Sequence, residues 1–246
     1  MTTQDIVIGL SVFLLAGTVK GLVGLGLPTI TIALTSLILP LTESIALIAL
    51  PTIFTNVWQA AVGGQFRVIA RRQWPLIVPL MVSLYLTMWL VGQRGPNWAF
   101  LVLAAVLILY SGLGLFRIRL HIHADLERPL APVIGVVSGF VAGLVGVPII
   151  PLMPYLQGLD IKPTELVQTL GVVLCATSLT LTASLLFFGL LDGPRAIVSA
   201  VAVVPALGGM WLGQQVRRRL SVEQFRQAVY WALLLTGLYT FASRLL

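Results

Sequence analysis

Apolar residues run in long blocks along this chain and do not alternate with polar ones. The blocks cover residues 6–26, 27–41, 44–62, 75–91, 98–115, 131–147, 148–159, 166–188, 196–213 and 228–243. A helix crosses a bilayer with about 20 apolar residues, within a range near 17–25. Most blocks suit that length. Blocks 27–41 and 148–159 are shorter, and each follows a Gly/Pro-rich joint, "GLVGLGLP" (21–28) and "GLVGVPIIP" (143–151). The pattern predicts an all-α polytopic membrane protein with about 8–10 membrane helical segments. Two of these are half-helices that follow broken helices.

The blocks also repeat. A shift of 122 residues carries "GTVKGLVG" (17–24) onto "GFVAGLVG" (139–146), Thr42-Glu43 onto Thr164-Glu165, and Met88-Trp89-Leu90 onto Met210-Trp211-Leu212. The chain therefore divides into a first repeat at 1–120, an inter-repeat loop at 121–130 and a second repeat at 131–246.

Composition agrees with the pattern. Hydrophobic residues make up 58% of the 246 and charged residues 9%, against roughly 25% charged in soluble domains. The net charge of +7 sits in clusters between blocks, so it reads as topology and excludes a nucleic-acid partner. Arg67, Arg71 and Arg72 fall in 63–74; Arg117, Arg119 and Arg128 in 116–130; Arg217, Arg218, Arg219 and Arg226 in 214–227. By the positive-inside rule all three segments are cytoplasmic, and the protein is expected in the inner cell membrane. The N-terminus lacks a basic leader and a small-residue cleavage site, so Ile6 onward reads as a retained segment. Under the repeat shift the basic segment 63–74 meets the poorly charged 189–195, and 92–97 meets the basic 214–227. Equivalent loops thus lie on opposite sides, which predicts inverted-topology repeats, an arrangement that places substrate sites where broken helices meet near the midplane.

Candidate chemistry gathers at the breaks. Glycine followed by proline ends a helix and frees backbone groups, and lipid tolerates these only inside protein or along a wet cavity. Lys20 lies inside the first block. One reading makes it a charge beside an anion site; the other lets it snorkel to the interface. Its repeat counterpart is Ala142. Thr52, Thr55, Asn56 and Gln59 share one helical face, with Thr177 and Ser178 matching Thr55 and Asn56. That stripe is either interhelical glue or pathway lining. The candidate substrate-binding set is Lys20, Gly21, Gly24, Gly26, Pro28, Thr52, Asn56, Gln59, Gly143, Gly146, Pro148 and Ser178.

Other chemistry is not indicated. No carboxylate falls deep in a block, and Glu43 and Glu165 read as helix-capping groups. His121 and His123 lack further ligands nearby, Cys175 is the single cysteine, and no phosphate-binding loop occurs. No catalytic residue, metal or cofactor is expected. A membrane enzyme, an anion channel and a scaffold are rivals to a carrier, but the first needs clustered acids or nucleophiles and the last needs no polar stripe.

The joints "GLVGLGLP" and "GLVGVPIIP", together with the polar segment "PTIFTNVWQ", resemble the TauE/SafE family, the sulfite exporter or toluene-sulfonate uptake permease family. The resemblance covers essentially the whole chain. It departs at Val147-Pro148, where the first half has Leu25-Gly26. It implies a secondary transporter of small sulfur-containing anions such as sulfite, sulfonates or sulfoacetate-like compounds, with a channel or a carrier of small carboxylates as the alternative. The partners implied are a small anion and the lipid bilayer; a homodimer remains open.

Overall fold

A computed structural model describes residues 3–91, 98–117, 121–217 and 222–245. The expected outer loop 92–97, together with Arg119, Arg218 and Arg219, lies outside these residues, as do the side chains of Arg217 and Arg226. The described chain is helical: α1 (Thr3–Val23), α2 (Leu27–Thr35), α3 (Leu41–Leu47), α4 (Ala49–Ala61), α5 (Phe66–Val91), α6 (Ala99–Leu115), α7 (Ala124–Val145), α8 (Ile149–Gly158), α9 (Pro163–Phe187), α10 (Gly193–Arg217) and α11 (Val222–Leu245).

Two features depart from the hydropathy blocks. The block 44–62 is not one helix: α3 and α4 meet at a 44° bend. The cause is Pro51, which has no N–H and whose ring crowds the carbonyl four residues back, that of Leu47. The hydroxyl of Ser199 on α10 repairs the break. It donates to the Leu47 carbonyl at 3.0 Å and accepts the Leu50 N–H at 3.0 Å. The second departure concerns the basic segments. Arg67, Arg71 and Arg72 sit in the first turns of α5, and Arg128 sits in α7. Hydropathy marks where hydrocarbon ends, whereas a helix continues into the headgroup region with charged side chains on it.

Four helices, α5, α7, α9 and α10, are long and apolar enough to cross a membrane alone, and the bent α3–α4 pair adds a fifth span among the described residues. Their outer surfaces suit lipid. All six tryptophans, at positions 58, 74, 89, 98, 211 and 231, are 48–61% exposed. Leu90 and Val204 are still more exposed. A water-soluble monomer does not present apolar surface on that scale.

Helix boundaries recur with the 122-residue offset. α1 matches α7, α2 matches α8, α3 with α4 matches α9, α5 matches α10, and α6 matches α11. The packing recurs by exchange between the halves. α1 lies against α10 as α7 lies against α5, while α4 packs on α9 and α6 on α11. Glycines make the first two contacts close. A Cβ at Gly17 would sit 2.2 Å from the Ala206 carbonyl oxygen, and one at Gly139 would sit 2.2 Å from that of Leu80.

The helices that follow the two Gly/Pro joints are short: α8 has 10 residues and α2 has 9, about 15 Å at 1.5 Å per residue and half a hydrocarbon core. α8 is also kinked at Ile150. The Ile122 N–H donates to the Gly158 carbonyl at 2.9 Å, and the Tyr155 hydroxyl to the Glu127 carbonyl at 2.9 Å. The far end of α8 therefore lies beside the start of α7, and the pair forms a hairpin.

Ion pairs mark the two ends of the bundle. At one end Arg72 binds Glu127 at 2.7 and 2.8 Å and Glu165 at 3.1 Å. At the other, Arg195 binds Glu43 at 3.3 Å and Asp192 at 3.2 Å. The 25 residues of α9 separate the clusters, about 37 Å of helix. Glu43 and Glu165 are not side-chain caps: the N-cap residues are Pro40 and Lys162, and neither helix start has a side-chain cap bond. Each glutamate reaches an arginine on a neighbouring helix instead.

The close helix contact gives a stability prediction. Gly139→Ala forces a methyl against the Leu80 backbone and is expected to cost about 1–3 kcal/mol. Gly112→Ala meets nothing within 4 Å and should be neutral or stabilising by up to about 1 kcal/mol. Thermal unfolding of the two variants in one detergent checks the contrast.

Candidate functional site

The first break comes from two glycines and a proline. The Gly24 N–H closes α1 on the Lys20 carbonyl at 2.7 Å. Gly24 and Gly26 then take φ of 89° and 112°, a left-handed backbone that residues with a Cβ rarely adopt. Gly26 is the N-cap of α2 and Pro28 stands in its first turn, where a missing N–H costs nothing. A Cβ on Gly26 would lie 3.3 Å from Val19. The start of α2 is therefore folded against the last turn of α1, which carries Lys20. In the second half Gly146 (φ 78°) is the C-cap of α7 and Pro148 the N-cap of α8. Both half-helices thus begin one residue from the proline rather than at it.

Lys20 is 1% exposed. Its ammonium donates to Thr55 Oγ1 at 3.0 Å and to Asn56 Oδ1. It does not snorkel, since its polar tip points into the bundle. It is the one charged side chain buried among the described residues, and no carboxylate pairs with it there. Two of its three donors are used, and the third has no acceptor among the described residues. Cys175 on α9 lies within electrostatic reach.

Asn56 links the halves. Its Nδ2 donates to the Leu174 carbonyl at 3.0 Å and to Ser178 Oγ at 3.3 Å. Ser178 in turn donates to the Cys175 carbonyl at 3.0 Å. Asn56 and Ser178 are repeat mates, 122 residues apart. Lys20, bonded to Asn56, is thus one side chain from this contact between α4 and α9. Gln59, one turn beyond Asn56, donates to the Gly24 carbonyl at 2.7 Å and the Val167 carbonyl at 2.9 Å. It thereby satisfies a carbonyl freed by the first break. Its own Oε1 is buried without a partner among the described residues.

The expected set divides in space. Lys20, Gly24, Asn56, Gln59 and Ser178 join in one hydrogen-bonded cluster, with Gly26 and Pro28 at the adjoining start of α2. Thr52 is buried, but its hydroxyl bonds to carbonyls of Ile48 and Ala49 at 2.7 and 3.0 Å. Gly21 packs on Met210, Gly143 on Leu84 and Thr87, and Gly146 on Ile32 and Ile45. These three hold helices together and do not reach the lysine cluster. Thr55 belongs to the predicted polar stripe and proves to be a direct Lys20 partner. Gln168, which donates to the Ala60 carbonyl at 3.0 Å, and Ser199 were not selected. Each is a lone polar residue in an apolar block, a signal too weak to use without the fold. The carbonyls of Leu174 and Val167 carry no sequence signal at all.

A buried cation held by neutral dipoles, beside a helix start, can offset the charge of a small anion. The model of one protein family, sulfite exporter TauE/SafE, matches residues 9–240. The chain belongs to the TauE/SafE family. This makes it a membrane transporter of a sulfite-exporting family, and the all-helical architecture agrees. No curated protein and no solved structure matches the chain.

The Lys20 cluster predicts a specific non-additivity. Asn56→Ala removes a partner of a buried charge and is expected to cost about 2–3 kcal/mol. Adding Lys20→Met to that variant removes the stranded charge and should recover part of the loss. A double-mutant cycle by thermal unfolding tests it; strict additivity of the two losses counts against the coupling.

Proposed function

We propose that this TauE/SafE protein is a secondary transporter that carries a small sulfur-containing anion, such as sulfite, a sulfonate or a sulfoacetate-like compound, past Lys20. One observation carries the reading. A lone lysine is buried at the contact of the two repeats, with no acidic partner and a free donor among the described residues. Burying an unpaired ammonium is expensive, so an otherwise apolar bundle holds one where a charge of opposite sign arrives. Asn56, Gln59 and Ser178 orient the site, and the start of α2 beside it adds the partial positive charge of a helix N-terminus.

Inverted repeats supply the route. The repeat-equivalent Glu43 and Glu165 belong to ion clusters at opposite ends of the bundle, which supports the inversion. The end that carries Arg67, Arg71, Arg72 and Arg128 is the cytoplasmic one under the positive-inside rule. The inner cell membrane is the expected location.

The test is binding and flux together. Purified protein is heated with sulfite, sulfate, thiosulfate, sulfoacetate, taurine, an aryl sulfonate or lactate, as wild type and as Lys20→Ala. An anion at 100 times its Kd stabilises the folded state by about 2.7 kcal/mol. A sulfur anion should stabilise wild type and not Lys20→Ala, and the same anion should move across proteoliposomes with saturable flux. Stabilisation by lactate alone would transfer the site to carboxylates. Flux that never saturates would make the protein a channel. Wild-type flux in Lys20→Ala would remove the lysine from the site.

A further inference from the structure

We propose that α3 is a gate helix, hinged at Ile48 and latched by Glu43 to Arg195, which opens the Arg195 end of the bundle to the interior. Four observations converge on it. First, α3 has only seven residues, bounded by Pro40 and by the bend at Ile48. Its junction with α4 is not continuous helix; the Ser199 hydroxyl from α10 bridges it. Second, its N-terminal end is held to α10 by the Glu43–Arg195 pair, whose side chains are 40% and 37% exposed. Exposed pairs of this kind hold weakly, so the latch can release.

Third, there is space behind the helix. A small cleft separates Thr42 and Ile45 of α3 from Met88, Val91, Gly143 and Leu144. Fourth, Ile45 rests on the second Gly/Pro break: a Cβ at Gly146 would lie 3.0 Å from its Cγ1. A swing of α3 away from the cleft uncovers that break. The matching part of α9 is built differently. Val173 replaces Pro51, Ile77 stands at the counterpart of Ser199, and α9 runs unbroken from Pro163 to Phe187. The hinge is therefore confined to one end of the molecule.

The proposal takes its meaning from the transport reading, yet its test reads access and needs no substrate, so either can fail alone. Leu144→Cys, or Met88→Cys if the first does not fold, places a thiol on the cleft wall behind α3. Its peptide is followed by mass spectrometry during reaction with a membrane-impermeant maleimide. Adding Glu43→Gln should raise the labelling rate at least fivefold. The exchanged pair Glu43→Arg with Arg195→Glu should return it to the parent rate. Equal rates in all three proteins would overturn the gate. So would a raised rate in the exchanged pair, since that would mark general loosening rather than release of an ionic latch.

Discussion

A helix that stops inside lipid leaves carbonyl and amide groups that no water can reach. Several polar features of this interior follow from that constraint. The chain breaks at Gly24–Gly26, at Ile48 and at Gly146–Pro148. Near the first two, a side chain from another helix reaches in: Gln59 to the Gly24 carbonyl, and Ser199 to both sides of the bend at Ile48. An unmet buried group costs about 1–3 kcal/mol, comparable with a large core truncation. The breaks are therefore drawn to where the repeats pack on each other, and the polar residues that serve them become the lining of the interior.

Glycine acts in two ways here. At Gly17, Gly21 and Gly139 the backbones of paired helices come so close that a methyl group would collide with a carbonyl. At Gly24, Gly26 and Gly146 the residue adopts a backbone conformation that side chains disfavour. The motifs combine both uses within a few residues, so one short segment sets the helix crossing and also ends the helix. The half-helix that follows is placed by the crossing.

Much of this was legible in the sequence. The apolar blocks located the helices, and the 122-residue offset anticipated which helices correspond. Lys20 and the Asn56 stripe stood out because polar atoms in lipid must have a reason. Other features were less visible for physical reasons. The bend at Ile48 depends on Pro51, but a proline inside an apolar helix is often tolerated, as Pro75 and Pro79 are within α5. At Pro51 the freed groups find the Ser199 hydroxyl across the interface, a partner that only the fold reveals. Arg67, Arg71 and Arg72 looked like a loop because hydropathy falls where charge begins, although α5 already runs through them. Glu43 and Glu165 looked like caps because local sequence cannot reveal a partner such as Arg195, 152 residues away.

The contact between Asn56 and Ser178 has a consequence for descent. A pair of identical chains related by a two-fold axis can place only even numbers of any group around it. Two copies of the first half would bring two lysines toward the same axis, each within a few side chains of the other and both unpaired. Covalent fusion of the halves lifts that parity. One half keeps Lys20 while the other holds the fully buried Ala142, and asparagine meets serine in place of its own twin. A single odd charge at the centre is something one continuous chain can encode and a symmetric dimer of this half cannot. Linking the halves in one gene thus lets the molecule bury one lysine where a symmetric pair would bury two.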